Sequence, residues 1–315
     1  MRIVRTLESF PPDARPSVVA LGVFDGVHLG HRAILDTAVA RAGAIDGDGP
    51  SRSGVTAVAC TFDPHPAEIL QPDRAPKPIT TLEERLALIA ESGISLTAVV
   101  PFTRALAAVE PEAFVGDILV GRLGAREIVV GFNHRFGRGA RGDERLLREL
   151  GSRLGFHTEV VPQTELDGAP VSSSAIRSAL QRADVESAAR MLGRPYFVSG
   201  EVVEGDRRGR TLGFPTANIA AERQVLVPTG VYACRLHLGD VVHPAVLNAG
   251  VRPTFGEKGF TLEAHVIDFS GDLYGRSVRL DFVRHIRAER KFPGVEALKA
   301  QIAADTAAAR TLLGA

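Results

Sequence analysis

The stretch Gly22-Val23-Phe24-Asp25-Gly26-Val27-His28-Leu29-Gly30-His31, "GVFDGVHLGH", stands between an apolar run, Val18–Leu21, and a segment with helical spacing, Arg32–Arg41. An apolar run that gives way to a glycine-bearing turn and then to a helix is the junction of a β-α unit. Further units follow it. Val55–Phe62 reads as a second strand, ending in "TFDPHP", and Leu96–Phe102, Glu127–Phe132 and Thr158–Val161 as three more. Between them lie a helix opened by the capping box Thr81-x-x-Glu84, a helix with Pro111 in its first turn, and a helix over Glu144–Leu154. This alternation predicts a parallel sheet with helices on both faces, with ligands bound beyond the carboxyl ends of its strands, where the opening stretch sits.

After two short helices, about Ser174–Arg182 and Val185–Leu192, the pattern changes at "GRPYFVSG". Phe197–Val203, Val231–Leu238, Val241–Leu247, Thr261–Phe269 and Ser277–Arg284 read as short strands, and Gly294–Leu313 as an Ala-rich helix. Strands followed by one terminal helix predict a small antiparallel barrel with that helix packed on it. The boundary falls near residues 184–196, giving domains over 1–186 and 187–315. Gly43–Gly54, "GAIDGDGPSRSG", reads as a polar surface loop.

The chain has 315 residues, with 37 Lys plus Arg against 37 Asp plus Glu, so overall charge draws it to neither nucleic acid nor anionic lipid. Cys60 and Cys234 are the only cysteines. That excludes a disulfide scaffold and a cysteine-rich metal site, and it suits a reducing compartment. No signal-like apolar core opens the sequence, and no apolar run approaches ~18 residues. A cytoplasmic protein, monomeric or weakly homo-oligomeric, is expected.

His28 and His31 admit three readings. Backbone N–H groups at a helix start favour anions, Gly30 lets a phosphate approach the chain, and residues three apart share a face, so both imidazoles can reach one triphosphate. A metal site would need further ligands, for which Asp63 and His65 are the candidates. They can also be exposed turn histidines. The stretch Ser172-Ser173-Ser174-Ala175-Ile176-Arg177 tilts the balance toward phosphate. Ser174 suits an N-cap, and Arg177 lies on the same side of the first turn, ready to pair with phosphate oxygens. Two anion-competent helix starts in one open sheet fit a nucleotide.

Together "GVFDGVHLGH", "TFDPHP", "GFNHRFG" (Gly131–Gly137) and "SSSAIR" resemble the adenylyltransferase module of the bacterial bifunctional riboflavin kinase/FAD synthetase family, on a Rossmann-like nucleotidylyltransferase fold. The resemblance implies in-line transfer of AMP from ATP to the phosphate of FMN, releasing pyrophosphate. It implies that His28 and His31 act on the ATP phosphates, with Gly22, Phe24, Gly30 and Asn133 in the nucleotide site. Ser173, Ser174 and Arg177 would grip the triphosphate, and Asp63 would lie near the flavin. The chain departs from the family pattern at His134, where an aromatic is usual, and at Ala175, where an arginine is usual.

The second half carries "GEVVEGDRRGRTLGFPTANI", Gly200–Ile219. Its glycines, Gly205 and Gly213 among them, allow a loop to close over phosphates. Thr216 and Asn218, two residues apart, share a face if extended, and such oxygen donors suit Mg²⁺. Glu263 alternates with apolar neighbours and could accept a proton from an attacking hydroxyl, although a solvated strand face is the commoner role. "GRTLGFPTAN", "NAGVRPTF", "LEAHVIDF", "DLYG" and "IRAERKF" resemble riboflavin kinase, the other half of the same family. That implies Mg²⁺ and ATP phosphates on Thr216 and Asn218, Glu263 as the base that activates the riboflavin 5′-hydroxyl, and Arg287 at the flavin. No G-x-x-x-x-G-K-[ST] occurs, so the kinase is not of the P-loop kind. Two rival readings are a non-catalytic flavin-binding protein on these folds, and a metal-dependent hydrolase built on His28, His31 and His65.

Overall fold

The computed structural model describes residues 1–46, 54–205, 209, 212–221, 226–253 and 258–314. It divides the chain into two compact units, Met1–Ser172 and Ser173–Ala315.

The first unit is built on a six-stranded sheet: β1 (Arg2–Val4), β2 (Ser17–Leu21), β3 (Thr56–Asp63), β4 (Leu96–Pro101), β5 (Ala125–Gly131) and β6 (His157–Val161). All neighbours are parallel, in the order β1-β4-β3-β2-β5-β6. Helix α1 (Leu29–Asp46) follows β2 and packs on β2, β3 and β5. The opposite face carries Val19, Leu21, Val58, Cys60, Ile128 and Val130, packed with Phe114, Leu119, Leu147 and Leu150. Those partners come from a helix that starts as α5 (Pro111–Ala113) and widens into a π-turn run over Phe114–Arg122, and from α6 (Glu144–Leu154). Between β3 and β5 lie α2 (Pro66–Leu70), α3 (Leu82–Glu91) and α4 (Arg104–Ala107). A two-stranded hairpin, β7 (Glu165–Leu166) with β8 (Ala169–Pro170), completes the unit.

The chain leaves β2 toward β3 and β4 on one side, and returns to β5 and β6 on the other. The strand order therefore reverses between β2 and β5, and the crevice at their carboxyl ends is the expected ligand position.

The second unit opens with α7 (Ser173–Gln181) and α8 (Val185–Leu192). A closed antiparallel barrel follows: β9 (Tyr196–Val203), β10 (Ala217–Ala221), β11 (Gly230–Leu238), β12 (Val241–Pro253), β13 (Lys258–Val266) and β14 (Ser277–Arg287), in the order β10-β13-β12-β11-β14-β9. Tyr196, Tyr232 and Phe282 fill its interior, each tyrosine ring 5.4 Å from Phe282. The terminal helix α9 (Val295–Leu313) packs on β11, β12 and β14.

The sequence reading misses β1, three residues long, and treats β10 only as an extended stretch. It ends β12 at Leu247, whereas pairing with β13 carries that strand to Pro253. It extends β13 to Phe269, but Asp268 has a φ of 55° and turns the chain. The Gly43–Gly54 reading falls partly on α1, which runs to Asp46; residues 47–53 lie outside the described ones. Among the described residues no helix is long and apolar enough to cross a membrane.

Candidate active sites

In the first unit, the turn from β2 to α1 is held in an unusual backbone. Phe24 and Val27 have φ of 57° and 37°, and Gly26 has 82°. A β-branched residue at positive φ is strained, so neighbouring contacts must enforce it. Asp25, 4% exposed, supplies them. Its carboxylate accepts the N–H of Ile79 (2.9 Å) and of Thr80 (3.1 Å) and the Thr80 hydroxyl (3.2 Å), while Gly26 N–H donates to that hydroxyl (3.1 Å).

His28, 6% exposed, turns its Nδ1 back to accept the His31 N–H at 3.3 Å, so its ring caps α1. The two imidazoles stack at 3.6 Å between centroids, and the Phe24 ring meets His31 edge-on at 5.5 Å. A Cβ on Gly30 would stand 3.3 Å from the His28 ring, so glycine keeps the helix start open beside it. Gly22 is tighter still, since a Cβ there would stand 2.9 Å from the Phe24 ring.

Asp63 ends β3 at the neighbouring carboxyl end, and Asn133 follows β5 in a turn closed by His134 N–H to the Gly131 carbonyl at 3.0 Å. The segments at the carboxyl ends beside the strand reversal thus carry Gly22, Phe24, His28, Gly30, His31, Asp63 and Asn133. Ser173, Ser174 and Arg177 lie in the second unit, on the first turns of α7. The helix starts one residue earlier than expected, which puts Ser174 inside it instead of at its cap. Three consecutive serines leave the capping position undetermined in the sequence.

The histidine metal site is not formed. Nδ1 of His28 is occupied as described, and Nδ1 of His65 accepts the Ala67 N–H at 3.1 Å, capping α2. The one metal-spaced cluster among the described residues, Glu127, His157 and Glu159, includes none of them, and Arg41 grips both Glu127 oxygens at 2.6 and 2.9 Å.

In the barrel, strand register lines up one row of side chains. Asn218 pairs with Glu263, Glu263 with Asn248, Asn248 with Val231, and Val231 with Arg287, across β10, β13, β12, β11 and β14. Residues in register share a face. Glu263, Asn248, Val231 and Arg287 line a cavity of ≈ 310 Å³, closed by Ile302 and Asp305 of α9. Arg287 is held there by Asp305, and Glu289 reaches over Gly250 beside the Asn248 amide. Asn248, Glu289 and Asp305 are lining residues that sequence reasoning missed: strand register brings Asn248 to Glu263, while Glu289 beyond β14 and Asp305 on α9 join it only through packing around the cavity.

A second cavity of ≈ 600 Å³ is lined by Ala217, Ala264, Val266 and the Asp272–Tyr274 turn. Ala264 and Val266 lie on the opposite face of β13 from Glu263 and His265, so one strand divides the two spaces. Thr216 borders both. It is positioned by His265, whose Nδ1–H donates to the Pro215 carbonyl at 2.9 Å. A Cβ on Gly205 would overlap the Asn218 amide, and one on Gly209 would approach the Thr216 hydroxyl to 3.1 Å. Gly213 has a φ of 88° and open space around it. Asp206–Arg208, Arg210 and Thr211 of the glycine-rich stretch lie outside the described residues.

Residues 10–175 match the family model described as FAD synthetase, and residues 192–313 the one described as riboflavin kinase. A curated relative from Escherichia coli (strain K12), "Bifunctional riboflavin kinase/FMN adenylyltransferase", is 38% identical over 100% of this chain and 98% of its own length. A relative of the same name from Bacillus subtilis (strain 168) is 39% identical over 92% of this chain and 90% of its own. Among solved structures, "Crystal Structure of Macrolide-efflux Protein from Streptococcus pneumoniae" superposes with a TM-score of 0.87 and 27% identity, over 98% of both chains.

Proposed function

The chain belongs to the bifunctional riboflavin kinase/FMN adenylyltransferase family, and from that premise we propose how its residues divide the two reactions. The enzyme phosphorylates riboflavin to FMN with ATP in its C-terminal half. It joins FMN to AMP from a second ATP in its N-terminal half, giving FAD and pyrophosphate. On this reading residues 1–186 carry adenylyl transfer and residues 187–315 the kinase.

For the kinase, the observation that carries the assignment is Thr216 on the border of both cavities, with Glu263 on the dividing strand and facing the smaller one. ATP occupies the larger space and riboflavin the smaller, so the γ-phosphate meets the 5′-hydroxyl near Thr216. Glu263 takes the hydroxyl proton, and Asn218 and Asn248 flank it to hold its orientation. Arg287 holds the flavin side of the smaller cavity. The hydroxyl of Thr216 and the amide oxygen of Asn218 are hard donors with side-chain-free glycines packed against them, a set that fits Mg²⁺. Bound there, Mg²⁺ would neutralise charge on the migrating phosphoryl group. Gly205 and Gly213 let the loop approach the ATP phosphates.

For adenylyl transfer, the α1 N-terminus and the His28 and His31 rings stabilise the charge that grows on the leaving pyrophosphate. Gly22, Phe24, Gly30 and Asn133 shape the nucleotide site, Asp63 stands at the flavin, and Ser173, Ser174 and Arg177 bind phosphate. The balanced charge and two buried, unpaired cysteines fit a cytoplasmic enzyme, monomeric or weakly associating, that binds small molecules and not nucleic acid.

The test is chromatography of flavins after incubation with riboflavin and MgATP. Glu263→Gln should form no FMN yet convert supplied FMN to FAD, and His31→Ala should accumulate FMN. Loss of both steps in either folded variant would show that the sites are not separate in this way.

A further inference from the structure

One guanidinium stands beneath both loops of the first-unit site. Arg85 lies in the first turn of α3, whose start is fixed by the Thr81/Glu84 capping box (Glu84 N–H to Thr81 hydroxyl 3.0 Å, Thr81 N–H to Glu84 carboxylate 2.8 Å). The side chain is drawn inward to 6% exposure. Its Nη1 donates to the Val23 carbonyl at 3.0 Å, and its Nη2 to the Phe62 carbonyl at 2.9 Å. The Thr61 hydroxyl donates to the same Val23 oxygen at 2.9 Å. Asp63, half-exposed, lies 3.9 Å from Nη2.

Val23 belongs to the loop that carries His28 and His31, and Phe62 is the residue before Asp63 at the end of β3. Both carbonyls lie at the carboxyl edge of the parallel sheet, where such sheets bind their ligands. Left uncovered, they would present negative dipole ends to an incoming phosphate. Covered by a guanidinium, they do not, and the rim gains a positive charge that is little screened, because the group is buried. Burial also pulls the Arg85 pKa down, against the raising influence of Asp25, Asp63 and Glu68, but an arginine stays protonated.

We propose that Arg85 is a positioning residue for adenylyl transfer. Its fork ties the His28/His31 loop to the Asp63 loop as one rigid rim, and it masks the two carbonyls that would otherwise face the substrate phosphates. The proposal rests on the reading of this crevice as the adenylyltransferase site. It requires an arginine: a lysine ammonium lacks the planar fork needed to hold two carbonyls at fixed separation.

The experiment is single-turnover FAD formation from FMN and MgATP by the full chain, with riboflavin phosphorylation by the same preparation as an internal control. For Arg85→Lys the rate constant should fall about tenfold, and for Arg85→Met about a hundredfold, the scale expected when reacting groups are misplaced by about an ångström. The amplitude should stay full, and riboflavin phosphorylation should stay within about twofold of wild type, since that reaction is assigned to residues of the other unit, none of which contacts Arg85 through the bonds described. A purely structural role would lower the amplitude, the fraction of folded sites, and leave the rate constant of the remainder alone. That result, or unchanged rate constants in both variants, overturns the proposal. Wild-type protein that makes no FAD from FMN would overturn the reading of the site, and the proposal with it.

Discussion

Arg287 and Asp305 clamp the last barrel strand to the terminal helix: Nε meets Oδ1 at 3.0 Å and Nη2 meets Oδ2 at 2.8 Å, with the carboxylate 4% exposed. Gln301 donates to the same carboxylate at 2.7 Å, so the buried charge is fully engaged. Because both residues also line the smaller barrel cavity, the clamp sets that cavity's width. Removing one partner of such a pair leaves an uncompensated buried charge, which costs about 3 kcal/mol or more. Arg287→Met should therefore destabilise the second unit by that order and raise the KM for riboflavin more than the KM for ATP. Denaturant unfolding and paired kinase kinetics check both. Equal effects on the two KM values would mean that the clamp does not shape the flavin side.

His28 does two jobs that substitution can separate. Its Nδ1 caps α1, and its ring stacks on His31. His28→Ala should lose about 1 kcal/mol as a missing N-cap. His28→Asn should recover most of that stability, since asparagine caps well, without recovering FAD formation. Thermal melts set beside adenylyltransferase assays decide it. Asparagine restoring activity along with stability would reduce His28 to a cap.

Two glycines of the kinase loop should behave differently despite similar positions in the sequence. A Cβ on Gly205 overlaps the Asn218 amide, so Gly205→Ala should displace Asn218 and cut kinase kcat by about tenfold, as loss of a well-placed group does. Gly213 meets nothing, and its φ of 88° makes Gly213→Ala a matter of backbone strain, about 1 kcal/mol, with less effect on turnover. Kinase assays at saturating substrate separate the two outcomes.

What was legible in the sequence follows a physical line. Strands such as β2 and β3 are apolar runs, and α3 and α6 announce themselves through Thr81/Glu84 and amphipathic spacing, because those signals are local. The His28/His31 turn could be read as a helix start with glycine-opened backbone for the same reason. Arg85 and Asp25 were not, since their partners are backbone carbonyls and N–H groups, which every residue carries alike. The row Asn218–Glu263–Asn248 was not legible either: it exists only in the register of three strands, which sequence spacing does not encode. β1 escaped because three residues are too few to show a period, and its pairing partner β4 lies far along the chain.

His134 gives the first unit a pH dependence of predictable sign. Its ring lies nearly parallel to Phe136 at 6.0 Å, and its Nε2 is buried without a hydrogen-bond partner. Burial pushes its pKa down from the ordinary 6.5 to about 4. The folded state thus resists a proton that the unfolded chain accepts. Stability from this group is complete above about pH 6.5 and is lost as pH falls toward 4, by roughly 2 kcal/mol between pH 7 and pH 5. His134→Phe, which restores the aromatic usual in the family, removes both the titration and the orphaned nitrogen. Hydrogen-exchange protection of the β5 amides, measured at pH 7 and pH 5 and corrected for intrinsic exchange rates, should fall in the wild type and hold more nearly constant in the variant. Equal losses in the two proteins would place the acid sensitivity on another group.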